Sequence, residues 1–359
     1  MLFRSGTSIL NDEIQRASAM TQPIVVVTDQ PVHIEKHSRG LKSASFWNTV
    51  APLGLPILLV LEIMMFWLLS PDQFGTMANL KTTILSNSVL AILSLGVLVT
   101  LVTGEFDVSL SMVFTTTMLI AAILISHFGM PILLASMIAV SAATLIGVLT
   151  GSLVVLTRAN SLIVSLGMMI LLRGLNEALT EGSTVIVRGE NGDSLRALSS
   201  SVAYGTLPVV LLIVVSSGLW YVMEMTPLGR KWHAVGGSNE SAKLLGLRTD
   251  ALRIGAFATG GALAGVAGIL QLSASTTATA SFGSGFLFPS IAAAFLGAVA
   301  FKIGTFNVRG TLAAIFVLAV GVTGIKMLGA PNWIDGLFYG TALIVAVAVV
   351  QAVWGRRQK

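Results

Sequence analysis

Two carboxylates interrupt a long apolar stretch near residue 105, and their side chains are the best placed to carry chemistry. In the sequence TGEFDVSLS, residues 103–111, Glu105 and Asp107 stand two apart between apolar runs. A charge at the bilayer centre costs roughly 2.5–3.5 kcal/mol, so each acid needs a partner or a function, such as a proton relay. The alternative is structural, because an aspartate can accept N–H groups at the start of the following helix. The sequence alone leaves both interpretations open.

Small polar residues in the apolar segments are candidates for a path through a membrane. A neutral solute needs hydroxyl and amide groups rather than charges, although such groups also form hydrogen bonds between helices. Arg173 and Glu177 stand four apart in one apolar run and can pair on one helix face; inside a bundle, such pairing would mainly avoid a lone buried charge. The candidate path residues are Asn87, Ser88, Asn176, Thr276, Thr277 and Thr279.

Sequence motifs of common enzymes are missing from this chain. It has no GxxxxGK[ST] loop for nucleotide phosphates, its four histidines lack HExxH spacing, and it has no cysteine. We therefore expect no catalytic residue, no metal site and no cofactor bound by this chain. The net charge of +5 is scattered through loops, which does not indicate a nucleic-acid partner.

The elements that position these residues are predicted to be membrane-spanning helices. Hydrophobic residues make up 54% of the chain and charged residues only 10%, whereas soluble domains carry about a quarter charged residues. This composition predicts an all-α, polytopic helical membrane protein. About ten transmembrane helices are expected, near residues 50–70, 80–103, 109–127, 130–156, 161–180, 206–225, 254–275, 286–301, 309–328 and 333–354.

Three further features refine this organisation. Residues 1–45 are mixed and polar and are predicted to form a cytoplasmic tail before a membrane domain at residues 46–359. Gly261 and Gly265 form a GxxxG pair, which predicts close helix packing, or smooth surfaces on which helices slide. Residues 271–284 are small and polar, so the seventh span is predicted to break into a re-entrant or unwound piece.

A basic loop at residues 226–253 separates two apolar spans. Because basic loops stay on the cytoplasmic side, the predicted spans place this loop and both termini in the cytoplasm. Ser238 or Asn239 can cap a short amphipathic helix that ends near Gly246, and such a helix suits docking on a soluble partner. An ordinary surface helix is the alternative. The apolar positions of this helix are Ala242, Leu244, Leu245 and Leu247.

Four stretches together resemble the permease subunit of bacterial ABC importers for monosaccharides, of the ribose, xylose, arabinose and autoinducer-2 type. They are GEFDVSLSMVF (104–114), IVSLGMMILLRGL (163–175), AVGGSNESAKLLGL (234–247) and residues 296–311. In this chain Glu105 replaces a small residue of the family pattern. The matching positions are Gly104, Asp107 and Ser109; Gly167, Arg173 and Gly174; Gly237, Asn239, Ala242 and Gly246; and Gly297, Gly304, Gly310 and Thr311.

The resemblance implies a type II ABC importer-like permease in the bacterial inner (cytoplasmic) membrane. Its implied partners are a second permease chain, an ABC ATP-binding subunit that carries ATP and Mg²⁺, and a periplasmic substrate-binding protein. The 226–253 loop would then contain the coupling helix that sits in a groove of the ATPase. Two alternatives remain: the same fold carrying a nucleoside or branched-chain amino acid, and a proton-coupled secondary transporter that uses Glu105 and Asp107.

Overall fold

The computed structural model describes residues 53–200 and 207–357, so the predicted tail at residues 1–45 lies outside the described part. The described chain is almost wholly helical, with one pair of two-residue strands. Its elements in chain order are α1 (Gly54–Leu69), α2 (Pro71–Phe74), α3 (Met77–Val102), α4 (Leu110–Ser126), α5 (Ile132–Thr157), α6 (Ser161–Thr180), β1 (Val185–Ile186), α7 (Gly189–Ser200), α8 (Leu207–Met225), α9 (Pro227–Gly237), α10 (Asn239–Leu244), α11 (Thr249–Ser275), β2 (Thr277–Ala278), α12 (Ser284–Gly297), α13 (Val308–Met327) and α14 (Ile334–Arg357).

Each of the ten predicted spans contains a helix, which confirms an all-α polytopic architecture. Among the described residues, seven helices are long and apolar enough to cross a membrane: α3, α5, α6, α8, α11, α13 and α14. The apolar helices α1, α4 and α12 are shorter. The number of ten crossings therefore stays a prediction.

Helix α11 packs against α3, α4 and α5 through small residues. A methyl carbon added at Gly261 would lie 2.5 Å from the carbonyl oxygen of Ala143 on α5, and one added at Gly265 would lie 2.9 Å from the Ala143 side chain. Gly147 of α5 meets the backbone of Phe257 with similarly little room. The predicted GxxxG pair therefore lies in a backbone-to-backbone helix crossing, where only glycine fits.

The predicted break in the polar residues 271–284 is present, but it begins later than residue 271. Helix α11 continues unbroken to Ser275, and Ser273 and Ser275 satisfy their hydroxyls on carbonyl oxygens of the preceding turn. The chain leaves the helix at Thr276, whose φ is 53°. Residues 276–283, which we call the re-entrant segment, turn back into the bundle, where the Gly283 N–H donates to Thr115 Oγ1 of α4 at 2.8 Å.

The strand pair was not predicted. Its register is antiparallel, with Val185 opposite Ala278 and Ile186 opposite Thr277. It ties the loop after α6 to the re-entrant segment. Two residues provide too little alternation to be recognised in a sequence.

Candidate functional site

The non-helical residues 103–109 between α3 and α4, which we call the break, are held by serines of α6. Ser161 Oγ accepts a hydrogen bond from the Phe106 N–H at 2.9 Å. Ser165 Oγ lies 3.1 Å from the Phe106 carbonyl and 3.2 Å from the Val108 N–H. Gly104 adopts a φ of +81°, which favours glycine. Backbone groups freed from helical bonding thus find partners inside the bundle.

The two carboxylates of the break have different surroundings. Asp107 Oδ1 accepts from the backbone N–H of Ser109 at 2.9 Å and from its hydroxyl at 2.6 Å, so this carboxylate caps the turn that leads into α4, whose N-cap residue is Ser109. Its Oδ2 is buried and has no hydrogen-bond partner among the described residues. Glu105 Oε1 lies 2.5 Å from Nε of Arg253 on α11. Because Glu105 is paired with this guanidinium, the two acids of the break are not two free carboxylates.

Residues 226–253, which we call the coupling segment, form the helices α9 and α10 and the start of α11. The predicted short helix is present as α10, and the Ser238 hydroxyl caps it by accepting from the Ser241 N–H at 3.2 Å. The chain turns at Gly246, whose φ is +78°. Leu244 and Leu245 are 89% and 79% exposed. The separate helix α9 was not predicted.

The base of the coupling segment packs on the break. Gly236 of α9 meets the carbonyl of Val102 and the N–H of Gly104 so closely that a side chain at position 236 would overlap them. The buried ring of Trp232 donates its Nε1–H to the Leu252 carbonyl at 3.1 Å. The segment is therefore anchored at its base, while the apolar tip of α10 is exposed.

The coupling residues of the family pattern take different positions in this segment. Ala242 is buried, and Gly237 has no heavy atom within 4 Å of an added methyl carbon. Asn239 lines a cavity of about 510 Å³ together with Arg158 and Lys243. The Asn239 Oδ1 is buried without a hydrogen-bond partner in the described ranges. Asp250 also lines this cavity and pairs with Lys243, so the cavity lining carries both signs of charge.

The structure brings some candidate path residues together around α4. Asn176 Oδ1 accepts from Thr116 Oγ1 at 3.0 Å, and Thr116 is adjacent to Thr115, which binds Gly283. Asn176 is fully buried, and its Nδ2 lacks a hydrogen-bond partner within the part of the chain that the structure describes. The predicted residues Thr276, Thr277 and Thr279 lie in the re-entrant segment nearby.

The remaining candidate path residues show local bonds. Arg196 Nη2 donates to Thr276 Oγ1 at 3.3 Å, which links α7 to the re-entrant segment. Asn87 and Ser88 donate to carbonyl oxygens one turn earlier in α3, those of Thr83 and Ile84. Their side-chain bonds therefore lie within their own helix, and their lining of a path stays a prediction.

Helix α6 presents an open face. Arg173 Nε and Glu177 Oε1 pair at 3.1 Å, which confirms the predicted pairing, but these side chains are 63% and 53% exposed. The pair therefore lies on the outer face of α6 in the single chain, since α6 turns its other face towards α4 and α5. Methyl carbons added at Gly167 and Gly174 would meet nothing within 4 Å. This face has room for another helix.

Sequence reasoning missed the side chains that connect these elements. Ser161 and Ser165 are four apart at the start of an apolar span, so they share one face, and this spacing was an available signal. The bond between Glu105 and Arg253 joins residues 148 apart and gave no local signal.

Comparisons with known proteins agree with this architecture. The family described as "Branched-chain amino acid transport system / permease component" matches residues 79–347. The ribose import permease protein RbsC of Escherichia coli K12 is 30% identical over 284 residues, which cover 78% of this chain and 88% of the relative.

Two further relatives carry other names. The autoinducer 2 import system permease protein LsrC of Photorhabdus luminescens is 28% identical and is aligned over 80% of this chain and 87% of its own length. The D-allose transport system permease protein AlsC of Escherichia coli K12 is 24% identical, over 85% of this chain and 92% of its own length. No solved structure matches the chain. With three quarters of its length matched, the chain belongs to the branched-chain amino acid transport system permease family and is a multi-pass membrane permease.

Proposed function

We propose that this chain is the membrane subunit of an ATP-driven importer that carries a small sugar, a pentose, hexose or related polyol, across the cytoplasmic membrane. Energy comes from an ATP-binding subunit that holds ATP and Mg²⁺. A periplasmic substrate-binding protein delivers the solute on the outer side, and the coupling segment and both termini face the cytoplasm.

The observation that carries this proposal is the exposed tip of α10. Leu244 and Leu245 are almost fully exposed, although they lie beside a well-packed base. Adjacent exposed leucines on a short capped helix match a helix that docks in an apolar groove. Basic residues flank this tip and extend the docking surface, among them Arg230, Lys231, Lys243 and Arg248. An acidic rim around the groove would complement them.

The open face of α6 supports a second permease chain. In a bilayer the exposed Arg173–Glu177 pair would face lipid, where a lone charge at the helix centre costs roughly 2.5–3.5 kcal/mol and pairing offsets only part of that cost. A neighbouring chain covers these charges, and Gly167 and Gly174 allow its backbone to approach. In two copies related by a two-fold axis, Arg173 of each chain can pair with Glu177 of the other chain.

Neutral polar groups support a sugar over an amino acid. The candidate path residues offer amides and hydroxyls without a formal charge, whereas an amino acid requires partners for its ammonium and carboxylate groups. Two relatives are named for ribose and D-allose transport, so we choose these two sugars as the first solutes to test with this chain. A proton-coupled carrier would need free acids, and Glu105 is paired.

Charge placed on the α10 tip tests the docking role. Burial of a leucine side chain contributes about 1.5–3 kcal/mol, so the Leu244→Asp/Leu245→Asp variant should weaken ATP-binding-subunit association roughly a hundredfold or more. Co-purification from membranes and ATP-dependent ribose or allose uptake in proteoliposomes are measured. Leu198→Asp, at an exposed leucine of α7, is the control and should associate normally. Undiminished association of the double variant would refute docking through this tip.

A further inference from the structure

A buried ion pair joins the break to the beginning of α11. Arg253 Nε and Glu105 Oε1 lie 2.5 Å apart, and the two side chains are only 15% and 10% exposed. By contrast, Lys243 and Asp250 in the same region pair at 3.6 Å with more than half of each side chain exposed. A charge-assisted bond with little access to water holds its geometry firmly, because separation would leave two largely buried charges uncompensated.

On the α11 side, the ion pair is fixed to the coupling segment. Leu252, which precedes Arg253, accepts the indole N–H of Trp232 on α9. Gly236, at the end of α9, contacts the backbone of the break directly. A displacement of α9 therefore moves Arg253 with it.

On the other side, the ion pair is fixed to the centre of the break. Phe106, which follows Glu105, is bonded at both its N–H and its carbonyl to serines of α6. Its ring lies 5.8 Å from that of Phe295 on α12, and Phe295 meets Phe306 edge-on at 5.3 Å. A displacement of Glu105 would therefore shift Phe106 and, through it, α6, α12 and the loop before α13.

We propose that Glu105 and Arg253 are a positioning pair that transmits movement of the coupling segment to the break. The resemblance noted above places a small residue at position 105, so the pair is an addition of this chain to the family pattern. The inference rests on the proposed function, since it concerns how ATP-driven movement at α10 reaches the membrane helices. The pair contacts no solute and acts through the backbone of the break.

The test removes both charges together, because a single substitution would strand a buried charge and impair folding. The Glu105→Ala/Arg253→Ala variant is reconstituted with its ATP-binding subunit and solute-binding protein in proteoliposomes, with ribose and allose as probes. The amount of ATP hydrolysed per solute molecule taken up should rise severalfold, because hydrolysis continues while fewer cycles move the break. The exchanged pair, Glu105→Arg/Arg253→Glu, should return the ratio towards the unmodified value.

A second ion pair provides the control. Lys326 and Asp335 join α13 to α14 at 2.6 Å, at the end of α13 remote from the break, and Lys326→Ala/Asp335→Ala should keep the original ratio. An unchanged ratio in Glu105→Ala/Arg253→Ala, or an equal rise in the control, would overturn the positioning role. Absence of ATP-dependent uptake by the unmodified complex would instead refute the proposed function.

Discussion

Substitution of Gly261 by alanine tests whether backbone contact between α5 and α11 organises the core. The added methyl carbon would lie 2.5 Å from the Ala143 carbonyl oxygen and 3.2 Å from the Gly147 Cα. The two helices must therefore move apart, and overpacking of this kind costs about 1–3 kcal/mol. Alanine also favours helix over glycine by about 0.5–1 kcal/mol, which partly offsets the loss.

A control on the same helix isolates the packing cost. Gly255 also lies in α11, and a methyl carbon added there meets nothing within 4 Å. Because the helix preference is shared, the stability difference between Gly261→Ala and Gly255→Ala should equal the overpacking cost of about 1–3 kcal/mol. The unfolding free energy of each purified variant is measured by steric trapping in detergent. Equal stability of the two variants would refute the contact as the organiser of the core.

Three other predictions follow from contacts of the described residues. Ile170 is exposed on α6, and in this cysteine-free chain Ile170→Cys should form a disulfide-linked pair of permease chains in oxidised membranes. Leu145, which is exposed on α5, provides the control, and Leu145→Cys should form no such disulfide. Ser165→Ala should destabilise the chain by about 1–3 kcal/mol and speed amide exchange in the break, while Ser141→Ala, which bonds only its own helix, should do neither. Gly246→Ala, at φ +78°, should cost about 1–2 kcal/mol in backbone strain and reduce binding of the ATP-binding subunit in pull-down assays.

Local patterns made part of this structure predictable. Apolar runs of about 20 residues located every long helix, because span length follows from bilayer thickness. The α10 helix was predictable from Ser238 and Gly246, since caps and positive-φ turns depend on a few neighbouring residues. The capping role of Asp107 has the same local origin, as its partner Ser109 is two residues away.

Contacts between residues far apart in the chain could not be predicted from the sequence. Arg253 is one basic residue among several in its loop, and only the fold selects it as the partner of Glu105. The pairing of Arg173 and Glu177 was local and predictable, whereas its exposure depends on which helices cover α6. Polarity after α11 indicated an irregular segment, but its start at Thr276 depends on the left-handed conformation of that residue, which the sequence does not reveal.

Helix α11 connects the regions that a transport cycle must link. It begins in the coupling segment, holds Arg253 near that end, and after 27 residues, about 40 Å, delivers the chain to the re-entrant segment. Along this length Gly261 and Gly265 place its backbone against α5. If α11 slid along α5, larger side chains next to Gly261 and Gly265 would enter contacts that have room only for glycine. The two helices are therefore expected to move as a rigid pair rather than slide past each other. Under the proposed function, movement of the coupling segment would turn α5 and α11 as one unit, and the proposed Glu105–Arg253 linkage would make the break follow it.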